Sequence, residues 1–445
     1  MRVAVVGAGP SGLYATDALA AAGHSVDVID RLPVPFGLVR YGVAPDHHSI
    51  RSVRNTLEKV FLEPNVRLLA GVEVGSDVSV QELLDAYDAV VLTYGASRDR
   101  ALEIPGEDLP GSIAATDLVA WYCGHPDADR ERIEAALAAV TSVVVVGVGN
   151  VAVDVTRILV APDERLAQTD MPQHVLDALA SSSITDVHVL GRRSPAHATW
   201  TTKELRELGE FDGVDVVVDP AALDMEPASI AHLEADRVVA RNVEIIREWS
   251  QRKEHAGQKS VHLHFRARPV EILGADRVES VTVERTTIDE SGSAVGTGDT
   301  FDIPAQLIVR SVGYRGTPID DVPFDSRRNV IPNDEGRVLP DTGVPIKGLY
   351  VAGWIKRGPS GIIGTNKKDA AATVASLLLD LADEPVKSEG GIDNLLATKG
   401  IEPIGFDGWQ RIDAAERALG ATQGRERTTI HTVEQLREIA QQRTQ

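Results

Sequence analysis

Two valine-rich runs that each break into spaced glycines, and a late return of the same strand-and-glycine pattern, predict the fold class. It is an α/β chain of two Rossmann-like dinucleotide-binding domains, the second inserted into the first. The first run is VAVVGAGPSG, from Val3 to Gly12. The second is SVVVVGVG, from Ser142 to Gly149. The return begins at Leu307 to Tyr314, which echoes Val90 to Gly95, and continues at Gly348 to Trp354.

In the first run, Val3 to Val6 reads as a buried parallel strand. Gly7 makes the turn, Gly9 lets the backbone approach a pyrophosphate, and Gly12 lets the next helix pack closely. The helix start then offers unpaired N–H groups to phosphates. A second strand, Ser25 to Ile29, ends at Asp30, an acid placed to accept hydrogen bonds from a ribose 2′-OH. A fingerprint at the very start of the chain favours FAD. The plain alternative is an ordinary strand–helix turn.

From Arg31 to His48 the chain is rich in proline and glycine and reads as a shaped loop. A basic helix is expected near Arg51 to Phe61, then a strand at Val66 to Ala70, a helix at Val80 to Leu84 and a strand at Ala89 to Thr93. The string LEIPGEDLPG, 102–111, reads as a domain crossover. The expected domains are therefore 1–106, 107–306 and 307–445, the middle one being the insert. Within the insert a periodic segment runs Ala114 to Tyr122, and a charged helix spans about Asp129 to Ala139.

The second fingerprint is Gly147-x-Gly149-x-x-Ala152. The next strand, Val187 to Leu190, lacks a terminal acid and runs into Arg192 and Arg193. Adjacent guanidinium groups suit a 2′-phosphate, so this cofactor reads as NADPH and not NADH. The alternative is two arginines on an exposed loop. Two fingerprints in one chain imply two dinucleotides with something passed between them.

A threonine ahead of Lys203 and Glu204 caps an expected helix. From Arg237 to Arg268 eight basic side chains stand against three acidic ones. That reversal reads either as a dock for an acidic partner or as a solvated strand-and-turn face. After Gly358 to Asn366 a helix is expected from about Lys367 to Leu381, its start aimed at a ring carbonyl. The stretch from Asp383 to Gln445 holds two amphipathic pieces of no legible role.

The formal net charge of −21 argues against nucleic acid and anionic membranes as partners. No apolar run is long enough to span a bilayer. Cys123 is the only cysteine, which excludes an internal disulfide and a CxxC redox pair. The first strand starts at Val3, so no signal peptide is expected and a cytoplasmic location follows. An organelle protein with its leader removed is the other reading. The oligomeric state is not legible.

These strings together resemble the adrenodoxin reductase family of NADPH–ferredoxin reductases, bacterial members included. The resemblance rests on VPFGLVRYGVAPDH (34–47), IPGEDLPGS (104–112), VGNVAVDVTRIL (148–159), GRRSP (191–195), TTKELREL (201–208), RSVGYRG (310–316) and GWIKRGPSGIIGTNKKDA (353–370). It covers nearly the whole chain and is weakest after Pro385. It implies FAD, an NADPH site and one-electron delivery to a ferredoxin-type iron–sulfur protein. By position it places Ser11, Asp30, Leu38, Val74, Trp354, Gly361, Ile362 and Ile363 on FAD. It places Val148, Gly149, Asn150, Val151, Arg192, Arg193, Glu204 and Gly361 on NADPH. His47 falls near the flavin, and Asp154 and Glu207 near the nicotinamide or its proton paths. The implied partner is an acidic ferredoxin, with Arg237, Arg241, Arg247 and Arg252 as its expected dock.

The chain departs from the family at His48, where many relatives have proline, at Asp30 in place of glutamate, and at Trp200 in place of phenylalanine. His47 is expected to hold or move a proton beside the ring. Its alternative is a structural loop histidine, because hydride transfer needs no general base. Two other functions stay open. One is an NADPH diaphorase, quinone reductase or flavin monooxygenase of the same fold. The other is a non-catalytic flavoprotein sensor.

Overall fold

The strand Arg2–Val6 lies inside a seven-stranded sheet because alternate burial is absent from it: Val3, Ala4 and Val5 are all fully buried. The structure is a computed structural model that describes residues 1–252, 257–382 and 392–442. The chain forms two compact units. One comprises Met1–Arg98, Cys123–Pro126 and Tyr314–Gln445, the other Asp99–Tyr122 and Asp127–Gly313.

In the first unit the parallel strands run in the order Val66–Ala70, Ser25–Asp30, Arg2–Val6, Ala89–Leu92, Leu349–Val351. Short antiparallel pieces at Arg337–Val338 and Asn333–Asp334 finish one edge. The helix Pro10–Ala21 leaves the central strand and packs on the long helix Ile363–Asp380. The helix Val80–Ala86 starts at a reciprocal cap, in which Ser79 and Glu82 each accept the other's backbone N–H. A cluster of Ala4, Ile29, Leu83, Val90, Leu92 and Val351 forms the core on one face.

In the second unit six strands are all parallel, in the order Ser112–Ala114, Leu307–Arg310, Ser142–Val146, Asp186–Gly191, Lys259–Phe265, Val214–Val218. A separate antiparallel sheet of Ala267–Leu273, Ser280–Ile288 and Ala294–Pro304 belongs to the same unit. Both units are therefore doubly wound, as expected.

The boundaries differ from those expected. Leu307–Arg310 stands between Ser112–Ala114 and Ser142–Val146, so the return to the first unit falls after Gly313 and not before Leu307. The apolar run Leu307–Val309 carries no mark of which sheet it will enter. At the other crossing, Leu102, Ile104 and Leu109 pack on the core of the second unit, which places the boundary at Arg98 and not at 106. Glu107 holds that segment by accepting the N–H groups of Leu102 and Glu103 at 2.6 and 2.7 Å.

Three elements differ as well. The helix expected at Arg51 to Phe61 is broken into Arg54–Leu57 and a 3₁₀ turn Glu58–Leu62. The late helix starts at Ile363, four residues ahead of Lys367, because Thr365 Oγ1 accepts the Ile362 N–H and closes the first turn. The basic segment does not begin as strand and turn: Arg237–Ser250 is an amphipathic helix capped by Asp236. Lys253 and Glu254 of that segment, and the start of the C-terminal stretch at 383–391, lie outside the described residues. Among the described residues no helix is long and apolar enough to cross a membrane.

Candidate functional site

Each unit carries a strand–glycine–helix cradle. In the first, Gly7 takes φ +107°, and a Cβ there would lie 2.9 Å from the backbone of Thr93. Only glycine fits that turn. A Cβ on Gly12 would lie 1.9 Å from Gly7 O, so the helix could not begin where it does. A Cβ on Gly9 would meet nothing nearer than Gly37 Cα at 4.0 Å, so its backbone lies open. The next residues start Pro10–Ala21 with no side-chain cap. Ser11 Oγ is buried there and has no hydrogen-bond partner among the described residues. An open backbone, an uncapped helix start and an unsatisfied hydroxyl fit a pyrophosphate.

Asp30 has a task that its sequence position did not announce. Oδ2 accepts the Ala8 N–H at 2.7 Å and Oδ1 the Leu32 N–H at 2.9 Å. Burial pushes its carboxyl up, and those two N–H groups pull it back. The carboxylate thus braces the glycine turn, with lone pairs left for a ribose. Phe36 completes the wall. Its φ is +87°, and its N–H donates to Ala8 O at 2.8 Å.

The other expected flavin residues lie in the same unit. Leu38 opens the short helix Leu38–Tyr41, and Val74 is a half-buried bridge partner of Val78. Trp354 follows Gly353, donates Nε1–H to Ser360 O at 3.2 Å and packs 5.4 Å from Tyr314. Gly361 and Ile362 are exposed at the start of the helix Ile363–Asp380, whose first residue, Ile363, is half-buried. His47 is buried, and its carbonyl accepts the N–H groups of Ile50 and Arg51. The chain after it turns straight into the short helix His48–Arg51.

In the second unit Gly147 takes φ +133°, and a Cβ there would lie 2.2 Å from Ser311 O. Val148 O accepts the Thr199 N–H, and Asn150 Oδ1 accepts the Thr201 N–H, each at 3.0 Å. The turn Val148, Gly149, Asn150, Val151 is half-buried and leads into Asn150–Val160. The strand Asp186–Gly191 delivers Arg192, which is exposed, and Arg193, which is half-buried. Their carbonyls are pinned by Thr286 Oγ1 at 2.7 Å and by the Arg266 N–H at 3.0 Å. Neither guanidinium has an acidic partner among the described residues. Burial, and then the charge of Arg192, lowers Arg193. Two cations left unneutralised on a fixed backbone fit a phosphate.

Asp154, Glu204 and Glu207 come together on two neighbouring helices, Asn150–Val160 and Thr202–Leu208. The fully buried Arg157 lies 2.9 Å from Asp154 Oδ1 and 3.9 Å from Glu207 Oε2. A guanidinium out of water needs such partners. Sequence reading passed over Arg157, although its place three residues after Asp154 on one helix was the available signal. Glu204 is buried, and its N–H is capped by Thr201 Oγ1.

The expected dock is helical. Arg237 and Arg241 are exposed one turn apart on Arg237–Ser250, and Arg252 is exposed just beyond it. Arg247 is paired with Glu244 at 2.9 Å. The opposite face buries Val243, Ile246 and Trp249.

Comparison with known proteins agrees with this geometry. Residues 1–360 match the model of the family described as pyridine nucleotide-disulphide oxidoreductase. The chain is 42% identical to NADPH-ferredoxin reductase FprA of Mycobacterium tuberculosis, over 98% of each chain. It is 38% identical to the mitochondrial NADPH:adrenodoxin oxidoreductase of Arabidopsis thaliana, over 98% of this chain and 94% of that one. The solved structure of M. tuberculosis FprA in complex with NADPH superimposes with a TM-score of 0.92 at 41% identity, covering 99% of both chains. With Cys123 alone, the chain has no cysteine pair of its own for disulfide chemistry. The chain belongs to the pyridine nucleotide-disulphide oxidoreductase family, in the branch of the NADPH–ferredoxin and NADPH:adrenodoxin reductases.

Proposed function

We infer that this chain is an FAD-containing oxidoreductase that takes a hydride from NADPH and passes single electrons to a ferredoxin-type iron–sulfur protein. The observation that carries the reading is the pair of cradles, the second ending in two arginines without acidic partners among the described residues. The names of the relatives supply the acceptor class. Bound FAD joins a two-electron donor to a one-electron acceptor, and no nucleophile or metal is needed.

The residues divide the work. The Gly9 backbone and Ser11 Oγ hold the flavin's pyrophosphate, and Asp30 its ribose. Leu38, Val74 and Trp354 line its ring, and the N–H groups of Gly361 to Ile363 face its carbonyls. Val148 to Val151 hold the phosphates of NADPH, and Arg192 and Arg193 select its 2′-phosphate, with Glu204 beside them. His47 holds a proton near the ring. Arg157 keeps Asp154 and Glu207 in place as proton-holding groups near the nicotinamide.

The partner we propose is an acidic ferredoxin that docks on Arg237, Arg241, Arg247 and Arg252, and the proposed location is the cytoplasm. In a chain of net charge −21 the segment 237–268 that opens with that helix is a local reversal of sign. The test is anaerobic. NADPH and the protein are mixed with a ferredoxin from the same cell, and cytochrome c reduction is followed. A large ferredoxin-dependent rate, with NADH far poorer, is expected. Flavin bleaching without any gain from ferredoxin would overturn the acceptor, and no bleaching would overturn the reductase.

A further inference from the structure

The C-terminal stretch, whose role the sequence left blank, reaches the first cradle through a buried ion pair. Arg40 and Glu416 are 2% and 0% exposed, and the two side chains join by a pair of hydrogen bonds. Glu416 also accepts from Arg427 at 2.8 Å and from the Ile430 N–H at 2.9 Å. Its carboxylate therefore joins the helix Phe406–Thr422 to the residues Arg427 to Ile430 that follow it and to the short helix Leu38–Tyr41.

Arg40 is held on its other sides as well. Its guanidinium lies 5.5 Å over the ring of the fully buried Trp409 and 5.0 Å over that of Tyr41. The Trp409 ring meets Phe36 edge to face at 5.3 Å. Arg51 Nη1 donates to the carbonyls of Arg40 and Val43 at 3.0 and 2.7 Å. All of this bears on Phe36 and Gly37, both at positive φ. Phe36 donates to Ala8 O, and a Cβ on Gly37 would lie 3.1 Å from Gly9 Cα. A strained backbone at a functional wall persists only where its surroundings hold it.

We propose that the segment Phe406–Ile430 is part of the FAD-holding apparatus, and that Glu416 is its positioning residue, setting the Phe36–Gly37 wall of the phosphate cradle through Arg40 and Trp409. The inference rests on the reading that this cradle holds FAD. A bidentate pair fixes direction as well as distance, which a lysine in place of arginine does not. The hydrogen bonds that join it are separated by 376 residues in sequence, so the cradle is complete only when the far end of the chain has docked.

The test uses holoenzyme. Arg40→Lys and Glu416→Gln are diluted, and the release of FAD is timed by its fluorescence. Flavin visible circular dichroism and the KM for NADPH are recorded alongside. Val338→Ala, which thins the sheet core of the same unit, serves as a control matched in thermal stability. We expect FAD to leave about tenfold faster from both variants, the equivalent of one lost hydrogen bond. The flavin dichroism should change and the KM for NADPH should stay within about twofold. Where Glu416→Gln does not fold, Arg40→Lys carries the test. Release within about twofold of the parent from folded Arg40→Lys would overturn the proposal, as would equal release from Val338→Ala. A parent that binds no FAD would instead overturn the reading of the cradle itself.

Discussion

Asp369 Oδ2 accepts the backbone N–H of Gly353 at 2.6 Å, while Oδ1 lies 3.0 Å from Lys356 Nζ. One carboxylate on the long helix thus fixes the turn that presents Trp354. Arg357 adds a second tie, donating to Asn366 Oδ1 at 2.8 Å. Asp369→Ala leaves the Gly353 N–H without its acceptor and the Lys356 ammonium with Thr373 Oγ1 but without its carboxylate. It is expected to lower stability by about 1–3 kcal/mol, read from urea unfolding. It should also change the emission of Trp354, which Asp369→Asn should change less.

Arg192 and Arg193 predict a split between cofactors. Arg192→Ala with Arg193→Ala removes the two charges that we propose for the 2′-phosphate. The KM for NADPH should rise by roughly ten- to a hundredfold, the worth of one or two charged hydrogen bonds. The KM for NADH should hardly move. Equal losses for both cofactors would make the pair structural.

The ion pair of Arg247 with Glu244 ranks the arginines of the proposed dock. Arg241 has no acidic partner among the described residues, whereas Arg247 is already half neutralised. Arg241→Glu should therefore slow ferredoxin reduction, and flatten its salt dependence, more than Arg247→Glu does. Dye reduction by NADPH should stay at the parent rate with both. Unchanged ferredoxin kinetics would move the dock to another face.

Three histidines on the second sheet predict acid sensitivity. His188 Nδ1 lies 3.0 Å from His264 Nε2, and His188 stacks on His262, which pairs with Asp186 at 2.9 Å. Burial, and then the charge of neighbouring imidazoles, lowers His188 and His264 to about 4. Arg285 also faces His264. The unfolded chain takes these protons first, so stability is complete above about pH 6.5 and is lost as the pH falls towards 4. The loss is about 3 kcal/mol at most for each of the two imidazoles. Urea midpoints measured across that window should show it, and His264→Phe should remove about half of the slope.

The local part of this architecture was legible. A strand, a glycine turn and a helix start are neighbours in sequence, so both cradles and Arg192–Arg193 could be read directly. The strand Leu307–Arg310 misled because its three apolar residues suit either sheet, and only register with Val143 to Val146, and the ion pairs of Arg310 with Asp99 and Glu107, decide. The brace from Asp30 to Ala8 and the hub at Glu416 were invisible for a different reason. Their partners are set by tertiary packing, and nothing in an isolated Asp or Glu names a distant N–H or guanidinium. The C-terminal stretch looked blank because its chemistry lies in its partners.

The order of strands in the first sheet has a bearing on biosynthesis. Leu349–Val351 pairs with Ala89–Leu92, yet the whole of the second unit from Asp99 to Gly313 is translated between them. The nascent second unit can close its sheet while the first still lacks a strand and the helix Ile363–Asp380. Domains fold as units when their residues have left the ribosome. The unit completed last here is therefore the one that holds the first-made strand, Arg2–Val6.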